Sequence, residues 1–228
     1  MHGLSRSSKS TAQWYFGLTA LVAVAGIAVN GIVAWQDAEE IGRFSPGLFR
    51  LLNTFAFFTI ESNLLIAVTS FLLFLSPSRP SAVFRWCRLV GLIAITITGI
   101  GYHWLLSEDH DPTGLADLGN TLVHYLVPIM AAAGFVAFGP RGMVSARLVA
   151  LTALFLIAWG AFTLIRGELT DPAWYPYPFV DVAAEGWGRV IANAIGLAAL
   201  YVAVGFVYLF VDRRLSARAR RQAAPART

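Results

Sequence analysis

The chain has 228 residues, of which 57% are hydrophobic and only 13% are charged. With a mean hydropathy of +0.64, it has too much apolar surface for a water-soluble domain, so the composition indicates an integral membrane protein. The net charge of +4 and the pI near 9.6 do not predict nucleic-acid binding, because the basic residues border the apolar segments instead of forming one continuous patch.

Six apolar runs are long enough to cross a bilayer as helices, which takes about 20 residues each. They cover residues 14–35, 51–75, 84–106, 118–138, 147–165 and 187–211. The connections are short apart from residues 167–186, so we predict an all-α fold, a single six-helix transmembrane bundle over residues 14–211. Residues 1–13 and 212–228 flank it. The first run is too long for the apolar part of a typical signal peptide, and we expect it to be retained.

The basic residues predict the orientation of the bundle, since Lys and Arg near helix ends are kept on the cytoplasmic side. All but four of the 17 Lys and Arg residues fall in or beside the two termini and the second and fourth connections. The four on the opposite, outer side are Arg43, Arg50, Arg166 and Arg189. We therefore expect both termini in the cytoplasm, with the basic tail on anionic lipid headgroups.

The second run contains FTIESNLL, residues 58–65, whose polar side chains are unexpected in hydrocarbon. A charged side chain at the centre of a membrane helix costs about 2.5–3.5 kcal/mol. At 100° per residue, Thr59, Ser62 and Asn63 project to one side of the helix and Glu61 to nearly the opposite side. We therefore expect this helix to be central in the bundle, with neighbours on both polar sides. The alternative for Ser62 and Asn63 is packing between helices without chemistry.

The histidines and amides of the other helices fall in the outer half of the predicted bundle. At 1.5 Å per residue, Thr59 lies about 12 Å and His124 about 9 Å from the outer ends of their runs, so we expect the two side chains to share a level. Asn120 lies one turn before His124 on the same face, and Asn193 falls at a similar depth. The alternatives are a His124 bonded to a backbone carbonyl and a His103 in the interfacial aromatic belt.

The fifth connection contains DPAWYPYPF, residues 171–179. Its three prolines fix φ and remove backbone donors, so the segment should be stiff and extended. Trp174, Tyr175 and Tyr177 carry amphipathic rings that suit either an anchor at headgroup level or a lid over the outer opening of the bundle.

The charged residues around this loop have two interpretations. Arg166 and Arg189 flank the loop, and their planar guanidinium groups match a substrate carboxylate. The alternative is pairing with nearby acids: Asp171, Asp181 and Glu185. Glu61 has three candidate partners at this end of the bundle: Arg50, Arg166 and His103.

No metal or cofactor is expected. The single cysteine, Cys87, excludes an internal disulfide and a cysteine metal cluster. His103 and His124 could in principle ligate a haem, but their predicted depths differ. A transporter is expected to place polar residues at the bilayer midplane, often in repeated halves, and neither feature is visible here.

Four blocks of the sequence carry a family resemblance: FFTIESNLLIAV, LVHYLVPIM, TLIRGEL and WYPYPFVDVAAEGWGRVIANAIGL. In this order they resemble the bacterial six-pass membrane proteins related to the androgen-induced and androgen-dependent TFPI-regulating membrane protein family. The resemblance spans the first to the sixth run, is most specific in WYPYPFVDV, and implies a bacterial cytoplasmic membrane. The eukaryotic members are threonine hydrolases that cleave fatty acid esters of hydroxy fatty acids within the membrane.

The family's catalytic Thr and His correspond by motif to Thr59 and His124. The resemblance therefore implies a lipid ester hydrolase with Thr59 as nucleophile and His124 as general base. Because the polar residues fall in the outer half of the predicted bundle, we expect the substrate to enter from the outer leaflet. The Ile-Glu-Ser-Asn that follows Thr59 is typical of the bacterial group and not of the eukaryotic hydrolases, which leaves the substrate open. We expect Asn63 to donate to the oxyanion. Other polar residues would surround the pocket: Glu61, Ser62, His103, Asn120 and Asn193. The alternative is a non-catalytic lipid-binding or small-molecule transport protein.

Overall fold

The computed structural model describes residues 6–36, 47–77, 81–108 and 111–223. Within these ranges the chain is helical and contains no β-strand. Six helical spans among the described residues are long and apolar enough to cross a membrane: Lys9–Gln36, Phe58–Leu75, Ala82–Leu106, Leu115–Phe138, Ala146–Leu169 and Val182–Gln222. The predicted all-α, six-span bundle is confirmed, while the predicted outer-side residue Arg43 lies outside the described residues.

The described part of the chain contains eight α-helices. These are α1 (Arg6–Gln36), α2 (Leu48–Asn53), α3 (Phe58–Leu75), α4 (Ala82–Gly101), α5 (Leu115–Thr121), α6 (Val127–Phe138), α7 (Ala146–Leu169) and α8 (Val182–Ala223). Of these, α2 lies outside the six spans. Two π-helical segments, Tyr102–Leu106 and Leu122–Leu126, extend α4 and join α5 to α6. Short 3₁₀ turns cover Thr54–Ala56 and Pro178–Val180.

The second predicted run is not one continuous helix, which corrects the expectation for Thr59. The backbone of Phe57 is extended, with φ −78° and ψ 129°, and separates α2 and its 3₁₀ turn from α3. Thr59 is therefore in the first turn of a helix. The predicted depth of about 12 Å from the start of its helix is wrong. Tertiary contacts support the break, because Trp159 Nε1 donates to the Ala56 carbonyl at 3.2 Å and the Thr59 N–H donates to the Tyr177 hydroxyl at 3.2 Å.

The central helix of the bundle is α4, and the expectation that the second span is surrounded on all sides is wrong. Residues 88–95 of α4 are buried without interruption, which requires neighbours on every face. These neighbours are α3, α6, α7 and α8. In contrast, α3 packs on α1 and α4 and exposes a continuous apolar stripe: Leu64, Val68, Phe71 and Leu75.

The end of the bundle opposite Thr59 is held by charged side chains. Asp212 of α8 is 1% exposed and accepts the backbone N–H groups of Gly142 and Val144, both at 2.9 Å. Arg141 donates to the Phe135 carbonyl at the end of α6 at 2.7 Å. The Asp212 bonds fix the α6–α7 connection against α8, and the Arg141 bond fixes the connection to the end of α6.

Candidate active site

The Thr59 hydroxyl and the His124 imidazole meet at the end of the bundle where α3 begins. Thr59 Oγ1 lies 3.2 Å from His124 Nε2, and Thr59 is 8% exposed. One residue comes from the first turn of α3 and the other from the π-helical segment before α6. The predicted proximity of these two side chains is therefore present, although the depth argument that led to it was wrong for Thr59.

The second ring nitrogen of His124 is held by Asn120. His124 Nδ1 lies 2.7 Å from Asn120 Oδ1, and Asn120 is buried one turn earlier on the same face. An amide oxygen only accepts hydrogen bonds, so Nδ1 carries the proton and Nε2 is left as an acceptor. The acceptor nitrogen is the one that faces Thr59.

The position of His124 is set by a local distortion of its helix. Pro128 lacks an N–H and its ring clashes with the carbonyl four residues earlier, which is that of His124. The widened π-helical turn at Leu122–Leu126 absorbs this clash, and such turns are frequent at functional sites. On the facing π-helical segment, the Tyr102 ring stacks on the imidazole with centroids 4.0 Å apart and planes 16° from parallel.

Tyr177 is a third side chain in contact with Thr59, a contact that no sequence pattern predicts. Its hydroxyl lies 3.2 Å from Thr59 Oγ1 and accepts the Thr59 N–H at 3.2 Å. Burial raises the pKa of Tyr177 to about 12, so the phenol stays protonated at neutral pH. The density of aromatic residues and prolines in WYPYPF signalled an ordered loop, but nothing in the sequence indicated the partner of this hydroxyl.

The expected oxyanion donor, Asn63, is turned away from the site. Its amide nitrogen donates to the carbonyls of Thr59 at 2.8 Å and Val123 at 3.2 Å, and the residue is fully buried. Its Oδ1 has no hydrogen-bond partner among the described residues. Ser62 likewise donates to the Thr59 carbonyl at 2.9 Å. Both residues brace the first turn of α3, so the predicted role of Asn63 at the oxyanion is wrong.

A cavity of about 690 Å³ opens beside the three contacting side chains, and Thr59, His124 and Tyr177 all line it. Its walls are mostly apolar. Arg50 of α2, which is 7% exposed, is the charged residue among the described residues that line it. From the sequence, Arg50 was expected on the outer side as one of three candidate partners for Glu61, and its place in a cavity wall was not predicted. Glu61 itself is half-buried and does not line the cavity.

The two arginines expected at the opening have other contacts. Arg166 donates to Asn53 Oδ1, and its guanidinium lies 4.9 Å from the centroid of the Trp174 ring. Asn53 and Trp174 both line the cavity, so Arg166 braces the wall from behind. Arg189 is largely exposed and pairs with Glu185 at 2.8 Å, which agrees with the pairing alternative.

Two other predicted pocket residues lie outside the cavity. His103 is exposed and contacts the Tyr125 ring at 6.2 Å between centroids, in a separate groove that does not include Thr59. Asn193 is exposed and donates to the Phe179 carbonyl at 2.9 Å. The bis-histidine arrangement is not favoured, because both ring nitrogens of His124 already contact Thr59 and Asn120.

The proline-rich loop forms a wall of the cavity instead of lying at its rim. Tyr175 and Tyr177 are 8% and 9% exposed, so their rings are not placed as an interfacial belt. Tyr175 points away from the cavity, where its hydroxyl donates to Glu168 at 3.1 Å. Its ring fills the space beside Gly167, where a Cβ atom would lie 2.0 Å from it. Trp174 is half-buried and lines the cavity.

Comparisons with known proteins leave the geometry as the basis for a function. No protein-family model, no curated protein and no solved structure matches the chain. Within the described ranges, no group of three or more His, Cys, Asp and Glu residues is arranged to hold a metal ion.

Proposed function

We propose that the protein is an intramembrane hydrolase of lipid esters, with Thr59 as the nucleophile and His124 as the general base. The observation that carries the proposal is the 3.2 Å contact between Thr59 Oγ1 and His124 Nε2 on the wall of a cavity. A threonine hydroxyl is a weak nucleophile unless an adjacent base, within about 2.6–3.2 Å, accepts its proton. The resemblance to membrane threonine hydrolases supports the same two residues by a separate route.

The hydrogen bond from His124 to Asn120 completes this arrangement. A nucleophile, a base and a third group that orients the base recur in hydrolases of unrelated folds. Asn120 performs the orienting role here, because it selects the tautomer in which Nε2 accepts a proton. The amide is neutral, so it adds no net charge to a buried site.

The reaction proceeds in two halves. Thr59 Oγ1 bonds to the ester carbonyl carbon while His124 Nε2 takes its proton. The tetrahedral intermediate then expels the alcohol, which receives that proton, and an acyl-threonine remains. A water molecule next attacks the acyl carbon and gives a proton to Nε2. The carboxylic acid leaves when the bond to Oγ1 breaks, and the proton returns to Thr59.

The surroundings of the site favour a lipid as the substrate. Residues of four of the six apolar spans line the cavity. Cavities of about 300–1,000 Å³ with mostly apolar walls are typical binding sites for small organic ligands. The apolar residues Phe57, Leu105 and Phe179 line the cavity together with the reactive groups. An ester carbonyl at Thr59 would therefore have its hydrocarbon chains in an apolar environment.

The test is covalent labelling of the purified protein with a fluorophosphonate that reacts with activated hydroxyls, followed by mapping of the modified residue. We expect the label on Thr59, and we expect Thr59→Ala and His124→Ala to abolish both labelling and ester hydrolysis. Thr19→Ala is the matched control. Thr19 is fully buried, its hydroxyl donates to the Tyr15 carbonyl at 2.9 Å, and it does not line the cavity. Hydrolysis by Thr59→Ala at the wild-type rate would refute the proposal.

A non-catalytic lipid-binding protein is the second candidate, and the volume of the cavity favours it. Such a protein would retain lipid with equal affinity in wild type, Thr59→Ala and His124→Ala, and its Thr59 would resist the fluorophosphonate. The same preparations therefore discriminate between the two functions.

We also propose a bacterial cytoplasmic membrane as the location, with both termini in the cytoplasm. The positive residues at the ends of the spans support this orientation, and α8 carries exposed arginines past its apolar part: Arg213, Arg214, Arg218 and Arg220. These would meet anionic headgroups. The test is a single cysteine at Ala219 in a Cys87→Ser background. An impermeant maleimide should label it in inside-out vesicles and not in right-side-out vesicles.

A further inference from the structure

One contact of the Thr59 hydroxyl has no role in the proposed reaction. Tyr177 reaches Thr59 from a loop 118 residues away in sequence and lines the cavity beside it. Its hydroxyl is 3.2 Å from Thr59 Oγ1, the same distance as His124 Nε2 on the other side. The nucleophile therefore lies between a base and a phenol.

An ester hydrolase needs a donor for the negative charge that develops on the carbonyl oxygen. Asn63 cannot serve, because its amide nitrogen is bonded to two backbone carbonyls. The N–H groups of Ile60 and Glu61 donate to the Phe57 carbonyl, and the Thr59 N–H donates to Tyr177. The Tyr177 hydroxyl differs from these groups, because it contacts Thr59 Oγ1, the atom that bonds to the carbonyl carbon.

The direction of the hydrogen bonds follows from the donors and acceptors present. The Thr59 proton points to Nε2, because Nε2 is the acceptor nitrogen of the imidazole. The Tyr177 oxygen accepts the Thr59 N–H, so its own proton is directed to Thr59 Oγ1 in the resting state. When Oγ1 bonds to the carbonyl carbon, the carbonyl oxygen becomes negative one atom away. The Tyr177 hydroxyl can then donate its hydrogen bond to that oxygen instead of to Oγ1.

The first turn of α3 strengthens this donor. The N-terminus of a helix carries a partial positive charge from its unsatisfied N–H groups. The Tyr177 oxygen takes up one of these N–H groups, and an accepted hydrogen bond polarises the O–H that donates onward. Because burial raises the pKa of Tyr177 to about 12, the phenol retains its proton at neutral pH.

The loop holds the phenol rigidly. The Tyr177 ring lies 5.2 Å from Phe179 in a stacked arrangement and 5.6 Å from Phe57 edge to face. Pro176 and Pro178 on either side restrict the backbone. A donor that is fixed before the reaction needs no reorganisation when the charge appears, which is the condition for effective stabilisation.

We propose that Tyr177 is a third catalytic residue whose hydroxyl donates to the oxyanion of the tetrahedral intermediate. The inference rests on the proposed hydrolase function and assigns to it the group that lowers the barrier to attack.

The first test compares Tyr177→Phe with Tyr175→Phe. Tyr175 lies in the same loop and is equally buried, but its hydroxyl bonds Glu168 on the far side from the cavity. Removal of one oxyanion donor lowers kcat by about 10²–10³-fold, and we expect this loss in Tyr177→Phe with little change in KM. The Tyr175 hydroxyl does not reach the cavity. Tyr175→Phe should therefore keep kcat within about threefold of the wild-type value, because a loss of about 10²-fold or more is expected only for an oxyanion donor.

The second test separates catalysis from structure, because Tyr177 also accepts an N–H of α3. Replacement of Tyr177 by 3,5-difluorotyrosine keeps the hydroxyl and lowers its intrinsic pKa. We expect near-wild-type activity at low pH and a loss of kcat as the pH rises through the new phenol pKa, since a phenolate cannot donate. A purely structural role predicts an unchanged pH profile.

The outcomes separate the role of Tyr177 from the hydrolase function on which it depends. A fully active Tyr177→Phe beside an inactive Thr59→Ala refutes the role of Tyr177 and leaves the hydrolase intact. An active Thr59→Ala refutes the hydrolase itself. If Tyr177→Phe does not fold, the pH profile of the difluorotyrosine protein decides.

Discussion

Asn120 Oδ1 and His124 Nδ1 are joined by a 2.7 Å hydrogen bond across one turn of a distorted helix, and this bond determines which ring nitrogen faces Thr59. The sequence spacing of four residues places the two side chains on one face. The consequence is chemical, because the opposite tautomer would present an N–H to the Thr59 hydroxyl and could not accept the hydroxyl proton.

Asn120→Ala tests this orienting role. A general base contributes roughly 10²–10⁴-fold to kcat. We expect Asn120→Ala to lose part of this factor, because the imidazole would populate the wrong tautomer. Binding of a non-hydrolysable lipid amide should be retained. A steady-state comparison of kcat and KM with His124→Ala provides the measurement, and wild-type kcat in Asn120→Ala would contradict the assignment.

Arg50 is expected to select acidic substrates. It lines the cavity and is 7% exposed, and a hydrogen bond to a charged group contributes about 1.5–3 kcal/mol. Arg50→Gln should therefore lower kcat/KM by about 10- to 100-fold for an ester that carries a free carboxylate, while its methyl ester is affected little. Arg189→Gln is the control, since Arg189 pairs with Glu185 outside the cavity. Equal losses for both substrates would count against this selection.

Gly167→Ala should disturb the loop that carries Tyr177. A Cβ atom at Gly167 would lie 2.0 Å from the Tyr175 ring, and overpacking of this kind costs about 1–3 kcal/mol. We expect a lower Tm and a slower reaction of Thr59 with the fluorophosphonate.

Gly160→Ala on the same helix is the matched control, because nothing lies within 4 Å of a Cβ placed there. Alanine also has a helix propensity about 1 kcal/mol more favourable than that of glycine. Unchanged or higher stability in Gly160→Ala with a loss in Gly167→Ala would locate the effect at the loop, whereas equal behaviour would exclude it.

Pro128→Ala tests the origin of the widened turn. Alanine restores an N–H to the helix and removes the clash with the His124 carbonyl, so the segment Leu122–Leu126 can return to regular α-helix. The imidazole would then rotate away from Thr59. We expect slower labelling of Thr59 with unchanged or higher Tm. A variant as reactive as wild type would show that the turn does not depend on the proline.

Several features of the molecule were accessible from the sequence. The six spans follow from run length and composition, because a helix that must satisfy all its backbone groups within hydrocarbon needs little information beyond apolarity over about 20 residues. The proximity of Thr59 and His124 was also predicted correctly. The placement of Asn120 one turn before His124 on the same face followed from their spacing on one helix.

Other features depended on contacts that no local pattern encodes. Phe57 interrupts an apolar run that reads as continuous, and the break is supported by Trp159 and Tyr177 from distant parts of the chain. Arg50 precedes this break, on α2, and lines the cavity. Asn63 has the face expected of a pocket residue, yet its amide nitrogen donates to the Thr59 carbonyl within α3 and to the Val123 carbonyl. Only the packing of α3 against the π-helical segment brings the Val123 carbonyl within reach.

The sequence by itself therefore determined the number of spans and the shared face of Asn120 and His124, since hydrophobicity and helical spacing are properties of neighbouring residues. The tertiary structure alone decided that α4 is central, that Arg50 lines the cavity, and that a phenol 118 residues from Thr59 contacts its hydroxyl. The physical reason is that the choice of partners between helices depends on side-chain packing over the whole bundle, in which many arrangements share the same pattern of apolar and polar faces.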